Sequence, residues 1–379
     1  MKWKTESLGE IALMTSGGTP SKKNPEYYEN GTIPWVRSGE LENGAIRDTE
    51  IKITQAGLVN SSAKIFPKGT LLIALYGATI GKLAWLDIDA CTNQAVCGIF
   101  ENEKVSLKYL YYYLLLHRPD LIKQGVGGAQ ANISQTILKK LMVSYPVDMD
   151  EQMRIVARIE ELFSEVDNGV ETLKKIKQQL IKYRRSVIKY ELSKDLPGIN
   201  WKDTTVSEVC DCLDSKRKPV KKSLRSSGTG AYPYYGANGQ TGTIDDFIFD
   251  EELVLVVEDE TFVGRIKPFS YIISGKTWVN NHAHILRGKA GVMDNHYLNY
   301  VLSYYPFLPM TTGTTGRKKL TQNALLSAPI RICDYLHQLD VVNTIDAKLS
   351  VCDSIEKTVD TALQQAEAMR QSILKQAIK

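Results

Sequence analysis

An internal duplication constrains this sequence more than any other feature does. Gln152 and Gln338 stand 186 residues apart, and the same offset relates Arg184 to Arg370 near the ends of the two copies. A chain that repeats its plan once builds two similar units. We therefore expect two bodies that share one fold, rather than one small stapled scaffold.

Short motifs recur in the same order in both copies. Each copy has an early apolar segment, a proline-aromatic segment, an apolar strand candidate, an asparagine segment and an aromatic helix candidate. The matched pairs are Leu8–Ile11 with Val206–Val209, Ile33–Val36 with Tyr232–Tyr235, Leu71–Ala74 with Leu253–Val256, Asn93–Val96 with Asn281–His284, Tyr109–Leu114 with Tyr297–Leu302, and Ile133–Gln135 with Leu320–Gln322. The copies differ most where loops are expected.

Each copy ends in a long segment with the apolar spacing of a coiled coil. Apolar residues alternate at intervals of four and three, the pattern by which helices pair. The predicted seam residues are Ile159, Leu162, Val166, Leu173, Ile176 and Leu180 in the first helix and Ile345, Cys352, Val359, Met369 and Ile373 in the second. We expect two helices of about 40 to 45 residues that pair with each other, most simply antiparallel. The alternative is that each helix packs along its own globular domain.

The remaining segments predict globular domains that mix helices and strands. Strands are predicted near 70–76 and 95–100 with a helix at 107–117, and the second copy repeats them at 252–257, 283–287 and 296–304. The predicted fold class is α+β (mixed α/β), with two globular domains separated by two long helices in a pseudo-twofold tandem repeat. The predicted segments are 1–148, 149–195, 196–334 and 335–379, in the order domain, helix, domain, helix.

Composition excludes several classes of protein. The 379 residues are 43% hydrophobic and 24% charged, as in packed globular domains. The net charge of +4 is far from the strongly basic balance of a protein that binds nucleic acid by charge alone. The sequence has no apolar run long enough to span a bilayer, no signal-peptide core and no C-x-x-C pair. We expect a cytoplasmic chain with buried, reduced thiols.

The sequence offers no convincing catalytic motif. Gly77–Lys82 reads G-A-T-I-G-K, one residue short of a phosphate-binding loop and without its hydroxyl residue after the lysine. Asn24–Tyr27 resembles the N-P-P-Y tetrad of amino-methyltransferases, but Glu replaces the second proline. His282 and His284 lie two apart without a cysteine or acidic partner at a recognised metal spacing, which favours structural or DNA-contacting roles. We expect neither an active site nor a metal site.

The loops carry residues suited to nucleic acid. Hydroxyls and ammonium groups bind phosphates, Gln and Asn read adenine, Arg reads guanine, and aromatic residues interleave with them. In the first copy the candidate DNA-binding residues are Thr19, Ser21, Lys22, Lys23, Trp35, Arg37, Tyr76, Thr79, Lys82, Gln130 and Asn132. In the second copy they are Lys216, Lys218, Lys221, Tyr234, Tyr235, Asn238, Arg265, His282, Thr315, Arg317 and Lys318. A solvated surface explains any one of these loops better, but their recurrence in both copies favours a shared binding face.

The order of these motifs, together with the duplication, resembles the DNA-specificity (S) subunit of type I restriction-modification enzymes. The resemblance covers essentially the whole chain. The residues that carry it are Gly17–Pro20, Ile33–Val36, Gly77–Lys82 and Asn93–Val96 for the first target-recognition domain, and Tyr232–Gly236, Trp278–His282 and the closing helix for the second. It implies that each domain reads one half of a bipartite DNA site, while the helices serve as a ruler and a docking surface.

The resemblance also implies the partners. They are double-stranded DNA, two methyltransferase (modification) subunits and restriction (motor-nuclease) subunits. No cofactor is expected in this chain, because S-adenosylmethionine, ATP and magnesium would belong to the partner subunits. The loops differ between the copies, with Gln130 and Asn132 in one and Arg317 and Lys318 in the other, so the expected target is asymmetric. Half-sites read from one side of the duplex would lie about one helical turn apart.

Other interpretations remain open from the sequence. The chain could be the specificity subunit of a type II system with fused restriction and methylation, or a stand-alone bipartite DNA-binding protein. It could also be a coiled-coil scaffold that binds only proteins. A methyltransferase with its own cofactor is the least favoured, because its motifs are missing.

Overall fold

The computed structural model describes residues 2–125, 132–194, 199–220, 230–260, 262–313 and 318–378. Chain contacts divide it into two compact units, of which unit 1 comprises Met1–Leu173 and Thr361–Lys379, and unit 2 comprises Lys174–Asp360. Each unit thus contains one globular body and one segment of each long helix. This partition divides both long helices between the units. The four segments predicted from the sequence treat each helix as a separate segment, and that division stays a prediction.

Unit 1 contains mostly short strands. They are β1 (Trp3–Ser7), β2 (Met14–Ser16), β3 (Ile33–Val36), β4 (Ala45–Ile46), β5 (Lys52–Ile53), β6 (Ile65–Phe66), β7 (Leu71–Ala74), β8 (Leu83–Leu86), β9 (Ala90–Thr92), β10 (Val96–Ile99) and β11 (Met142–Pro146). Its helices are α1 (Leu8–Ile11), α2 (Gln55–Val59), α3 (Leu107–Gln124), α4 (Gln135–Lys139) and the first part of α5 (Met149–Ser193).

The strands of unit 1 form two main sheets. One has the order β2-β10-β7-β8-β4 and the other β5-β3-β9-β6, while β1 pairs with β11. β7 and β10 are buried along their whole length, which explains why both read as continuous apolar runs without alternation. They pack on α3, whose Tyr109 is fully buried.

Unit 2 repeats this plan. Its strands are β12 (Lys202–Thr205), β13 (Cys210–Cys212), β14 (Tyr232–Gly236), β15 (Gly239–Ile244), β16 (Phe249–Asp250), β17 (Leu253–Val257), β18 (Asp259–Glu260), β19 (Ser270–Ile273), β20 (Lys276–Val279), β21 (Ala283–Gly288), β22 (Lys318–Lys319) and β23 (Pro329–Ile332). Its helices are α6 (Val206–Val209), α7 (Asn295–Ser303), α8 (Gln322–Leu326) and most of α9 (Tyr335–Ala377).

The sheets of unit 2 correspond to those of unit 1. Their orders are β13-β21-β17-β19 and β15-β14-β20-β16, with the further pairs β12-β23 and β18-β22. In both units a proline-containing strand pairs in parallel with a later strand, β3 with β9 and β14 with β20. The fold therefore confirms the duplication and the α+β class. The predicted elements near 70, 95, 252, 283 and 296 are confirmed with small shifts at their ends, and the helix predicted at 107–117 is confirmed but extends to Gln124.

A buried glutamine joins each long helix to its globular body. Gln152 donates to the carbonyls of Lys104 and Pro146 at 3.0 and 2.8 Å and accepts from the Ser106 N–H at 2.8 Å. Gln338 makes the same three kinds of bond in unit 2. The residue that defined the 186-residue offset is thus a structural link, since its amide satisfies backbone groups that would otherwise be buried without partners.

The long helices are α5, of 45 residues, and α9, of 43 residues. Within unit 2 their ion pairs run in opposite order, with Lys177 on Asp360 at 2.7 Å and Glu191 on Lys348. This order confirms antiparallel pairing there. Within unit 1 the last turns of α9 join the same core as the first turns of α5, through Leu374 and Ile378.

The predicted seam is only partly buried. Ile159, Leu180, Ile345, Cys352 and Val359 are buried, and Leu162, Val166, Leu173, Ile176 and Ile373 are partly exposed. Met369 is 53% exposed and lines an open groove between α5 and α9 together with Leu173, so its assignment to the seam stays a prediction. Leu374 near the end of α9 and Ile378 just after it pack into the α3 core instead.

Two further sequence predictions concern membranes and thiols. Within the described parts of the chain, every helix is too short or too polar to cross a bilayer. All six cysteines are free, and only Cys212 is not buried. Burial raises the pKa of the Cys91 thiol to about 11 and that of Cys210 to about 12, so these thiols stay protonated and unreactive at neutral pH.

Candidate nucleic-acid interface

Loops at one edge of the β2-β10-β7-β8-β4 sheet of unit 1 carry most of the candidate DNA-binding residues of that copy. β2 and β7 end at this edge and β10 begins there, since Cys97 pairs with Ser16 and Val96 with Ala74. Asn132 is brought to the same edge by its bridge to Tyr76. We call residues 17–23, 75–82, 92–95 and 132 the unit 1 loop face.

A glycine pair fixes the first loop of this face against its neighbours. A Cβ atom at Gly17 would lie 2.0 Å from the Thr92 carbonyl oxygen, and one at Gly18 would lie 2.2 Å from the Ser62 hydroxyl oxygen. Neither position has room for a side chain. The Gly-Gly-Thr-Pro motif therefore reflects close backbone packing, which holds the following Thr19–Lys23 segment at the sheet edge.

The polar side chains of the unit 1 loop face differ in solvent exposure and in their bonds to other side chains. Ser21, Lys22, Lys23 and Asn132 are exposed, whereas Tyr76, Thr79 and Lys82 are partly buried. The Thr19 hydroxyl bonds to Gln94. Arg37 directly follows β3 at this end, and its guanidinium is paired with Glu40 and Glu50. The exposed lysines are thus better placed for phosphates than Arg37 is.

Unit 2 places its loops at the corresponding edge. β17 ends there and β21 begins there, because Val257 pairs with Ala283. The Arg217 guanidinium donates to the Ala283 carbonyl at 3.0 Å, and Lys319 of β22 pairs with Asp259 of β18. We call residues 216–220, 236–239, 258–260, 262–268, 280–282 and 318–320 the unit 2 loop face.

Side-chain bonds tie the unit 2 loops to one another. The Arg265 guanidinium donates to the Asn238 side-chain oxygen at 2.9 Å, joining two loops that are distant in sequence. Exposed His282 lies 2.7 Å from Asp259, and the Trp278 indole donates to the Lys218 carbonyl at 2.7 Å. The candidate residues Lys216, Lys218, Asn238, Arg265, His282 and Lys318 therefore lie on one face, while Tyr235 is half-buried against Tyr271.

Two candidate DNA-binding residues belong to the core instead. Trp35 is 2% exposed and Tyr234 is fully buried. The Trp35 indole donates to the Gly18 carbonyl at 3.0 Å, and the Tyr234 hydroxyl accepts from the Val220 N–H at 3.3 Å. Their prediction as DNA contacts is wrong because the parallel strand pairs bury them, and each supports a loop from beneath.

Two motif pairings between the copies need a shift of one residue. Leu71–Ala74 corresponds to Val254–Val257, because Ala74 pairs with Val96 and Val257 with Ala283. The second shift concerns Asn93. The Asn93 N–H donates to the Val36 carbonyl at 2.9 Å, and the Asn280 N–H donates to the Tyr235 carbonyl at 3.0 Å. Asn93 therefore corresponds to Asn280 rather than to Asn281. By the same register, His284 occupies the position that Cys97 holds in unit 1.

Four candidate residues, Gln130, Lys221, Thr315 and Arg317, lie outside the described residues, and their prediction as DNA contacts stays untested. Sequence reasoning also missed residues on the unit 2 loop face. Val263 and Ile266 are 62% and 67% exposed on either side of Arg265. The available signal was a pair of branched apolar residues in a glycine-containing loop with basic neighbours.

Behind the unit 2 loop face lies a buried group of charged side chains. Burial by itself would raise the pKa of Asp214, but hydrogen bonds and charge from His284, the Ile285 N–H and Arg217 outweigh it and lower the pKa below its usual value. Burial opposes ionisation of Glu258 in the same way, and its bonds from Lys319 and Arg217 lower its pKa. Both carboxyl groups are therefore ionised at neutral pH.

Comparison with known proteins agrees with this architecture. The chain matches the family model described as the type I restriction modification DNA specificity domain over residues 1–181 and 198–365. With a match over most of its length, the chain belongs to that family, whose domain it carries twice.

Curated relatives include specificity subunits from several bacteria. The chain is 28% identical over 196 residues to the EcoR124I/EcoR124II specificity subunit of Escherichia coli, covering 50% of this chain and 48% of the relative. It is 37% identical over 161 residues to a putative Haemophilus influenzae subunit, S.HindORF215P, covering 41% and 39%. These two matches span less than half of each relative. The match to the StySPI specificity subunit of Salmonella potsdam, 21% identical, spans all of this chain and 88% of the relative.

Solved structures show the same fold. One chain, from a structure of the type I restriction-modification system that addresses complex assembly and conformational transition, has a TM-score of 0.75 at 18% identity and covers 99% of this chain and 97% of its own length. The HsdS subunit of Thermoanaerobacter tengcongensis has a TM-score of 0.54 at 17% identity, with 99% and 96% covered.

Proposed function

We propose that this chain is the non-catalytic specificity subunit of a restriction-modification complex. It reads a bipartite, asymmetric DNA site and directs adenine methyltransferase and restriction subunits to it. The observation that carries the proposal is that each unit presents polar and basic loops at the corresponding edge of its corresponding sheet. In both copies a buried aromatic residue, Trp35 or Tyr234, supports one of these loops from beneath. A surface that is merely solvated would not need such support.

The two loop faces provide different chemistry. Unit 1 exposes Lys22, Lys23 and Asn132, and unit 2 exposes Lys216 and Lys218 beside partly buried Lys318 and Arg265. Lysines contribute phosphate contacts, while amides and arginine read base edges. The two half-sites therefore differ in sequence, and each is read by one unit.

Partner subunits supply the chemistry in this proposal. S-adenosylmethionine, ATP and magnesium bind to them, and the complex acts in the cytoplasm. The net charge of +4 fits this division, because partners that enclose the duplex contribute the remaining phosphate contacts. Two methyltransferase subunits per chain match the two copies of the domain and helix, and the partly exposed seam residues on α5 and α9 provide docking area.

Methylome sequencing of cells that express the complete system tests the proposal. We expect one gapped adenine-methylation motif. Lys216→Ala with Lys218→Ala should weaken methylation of that motif, and the loss should increase with salt concentration because phosphate contacts are lost. Lys175→Ala with Lys182→Ala, on the exposed surface of α5, is the matched control. A system that methylates without a gapped motif, or equal loss in both pairs of variants, would contradict the proposal.

A further inference from the structure

We propose that an ionic network centred on buried His284 positions the two basic loops of the unit 2 loop face for sequence reading. The inference rests on the proposed function and assigns a role to side chains behind the loop face, together with Lys319 of the face itself, whose side chain is 56% exposed. The network consists of Asp214, Arg217, Glu258, His284 and Lys319. Its members come from the 216–220 loop and its preceding turn, from the end of β17, from β21 and from β22.

Both ring nitrogens of His284 have hydrogen-bond partners. Its Nε2 atom lies 2.8 Å from the Leu320 carbonyl oxygen, which can only accept, so Nε2 carries a proton. Its Nδ1 atom lies 2.5 Å from Asp214 Oδ2, while Asp214 Oδ1 accepts from the Ile285 N–H at 2.8 Å. Both ring nitrogens therefore face acceptors. His284 links β21 to Asp214 on one side and to the chain following β22 on the other.

Glu258 joins the two loops. It accepts from the Lys319 ammonium at 2.9 Å and from the Arg217 guanidinium. Arg217 also lies 3.2 Å from Asp214 and donates to the backbone carbonyl of Asp214 at 3.1 Å. Arg217, Lys319 and His284 thus enclose two carboxylates, and each loop is held by at least one of these three side chains. The Leu320 N–H, which donates to the Glu258 carbonyl at 2.8 Å, adds a backbone link.

The same donor set could suggest a metal site. Ligand atoms of Asp214, Glu258 and His284 lie within 4.8 Å of one another. However, both ring nitrogens of His284 already lie within hydrogen-bonding distance of acceptors, and Arg217 and Lys319 pair with the carboxylates. A divalent cation would have to displace both of these cations and break a hydrogen bond of the imidazole. The geometry therefore favours an ion-pair network over a metal centre.

The contrast with unit 1 indicates that the network orders the loops rather than the fold. Cys97 occupies the position of His284 and lies in the apolar core of unit 1. The same fold forms around a cysteine at that position, so the fold alone does not require a charged network there, and buried ion pairs are weaker sources of stability than apolar packing. The network occurs in the copy whose loops carry Lys216, Lys218 and Lys318. Fixing these loops costs less entropy on binding, because they are ordered before DNA arrives.

The test uses the full chain in its complex with the methyltransferase subunits. Glu258→Gln removes one charge and keeps the shape, and His284→Asn provides a second variant. Arg287→Gln is the matched control, since Arg287 pairs with Asp211 and Glu251 near the other end of β21, away from the loop face. Methylation rates are measured on the cognate site and on sites with single base changes in each half-site. Urea unfolding shows that the variants are folded.

We expect Glu258→Gln and His284→Asn to lose about tenfold or more of the discrimination at one half-site and none at the other, a loss equal to about one base contact. Arg287→Gln should keep both, and Lys319→Arg should keep most of the discrimination because it retains the charge. Folded variants with unchanged discrimination would overturn the inference. So would zinc binding by the wild-type chain in equilibrium dialysis that His284→Asn abolishes. If the wild-type complex shows no sequence preference, the proposed function itself fails. That outcome is distinguishable from failure of the network inference, in which the wild type discriminates and the variants discriminate equally well.

Discussion

Arg184 on α5 and Asp353 on α9 form an ion pair at 2.6 Å inside unit 2, and the same pair recurs inside unit 1 between Arg370 and Asp167. Both arginines and both aspartates are related by the 186-residue offset. Each pair joins a helix of one copy to the helix of the other. The duplication has therefore preserved a contact between copies, which requires both helices to be present in each unit.

Reversing one of these charges should weaken unit 2. Arg184→Glu places a third acidic group beside Asp353 and Glu356, and we expect a loss of about 1 kcal/mol in the free energy of unfolding, since partly exposed pairs contribute modestly. Adding Asp353→Arg should recover part of it. Chemical denaturation measures both. Arg158→Glu, at an exposed pair on the same helix, is the control and should cost less.

Replacing the linking glutamine of unit 2 should cost more. Gln338→Leu leaves the Asp294 N–H and the Val292 and Cys333 carbonyls without their partner, and we expect about 3 kcal/mol of destabilisation in urea. Gln179→Leu, on an exposed part of α5, should change stability little. A loss below about 1 kcal/mol for Gln338→Leu would show that water replaces the amide.

Acid should weaken the network behind the unit 2 loop face. Asp214 and Glu258 have pKa values below their ordinary 3.8 and 4.5 in the folded chain. The stability that they contribute is fully present above the unfolded values and is lost as the pH falls through the folded ones. Unfolding measured from pH 6 to pH 2 should therefore show a steeper loss for the wild type than for Glu258→Gln. Parallel curves would contradict the lowered pKa of Glu258.

A charge in the helix groove should block assembly. Leu173, Val166 and Met369 line an open apolar groove between α5 and α9 in unit 1. Leu173→Asp should disrupt assembly with the methyltransferase subunits, measured by size-exclusion chromatography, while the chain stays folded. Lys174→Asp on the exposed surface is the control. If the Leu173→Asp variant assembles and methylates normally, this groove is not part of the surface that docks the methyltransferase subunits.

The exposed apolar pair on the unit 2 loop face should contact thymine methyl groups. Val263→Ser with Ile266→Ser removes apolar surface on both sides of Arg265, and branched apolar side chains recognise the methyl of thymine in the major groove. Replacing thymine by deoxyuridine in one half-site should slow methylation by the wild-type complex about fivefold or more, and should slow the double variant little. Equal slowing of both would assign the methyl contact to other residues.

The sequence predicted the parts of the fold that depend on repetition and apolar spacing. The copies, the long helices and strands such as β7 and β17 follow from the 186-residue offset, the heptad pattern and continuous apolar runs. The exposure of Met369 could not be predicted, because a heptad pattern does not show that Leu374 and Ile378 pack against a third helix, α3. Asn93 was matched one residue out of register, because Asn280 and Asn281 are adjacent and only backbone pairing distinguishes them.

The sequence predicted which loops form the site. It did not predict which of their side chains are buried or which side chains bond to each other. Trp35 and Tyr234 stood among polar residues, and their burial follows from parallel strand pairing, which sequence periodicity does not reveal. His284 lacked acidic partners near it in sequence, and its partners Asp214 and Glu258 come from 70 and 26 residues away. Contacts of this kind depend on tertiary packing and carry no local signal.

The division of the chain also governs the order in which it can fold during synthesis. Unit 2 is continuous, from Lys174 to Asp360, whereas the core of unit 1 includes Leu374 and Ile378. A nascent chain on the ribosome can therefore complete unit 2 while the earlier-made body of unit 1 still exposes the apolar surface that Leu374 and Ile378 cover. Until those residues emerge, this body is the part most in need of protection from aggregation.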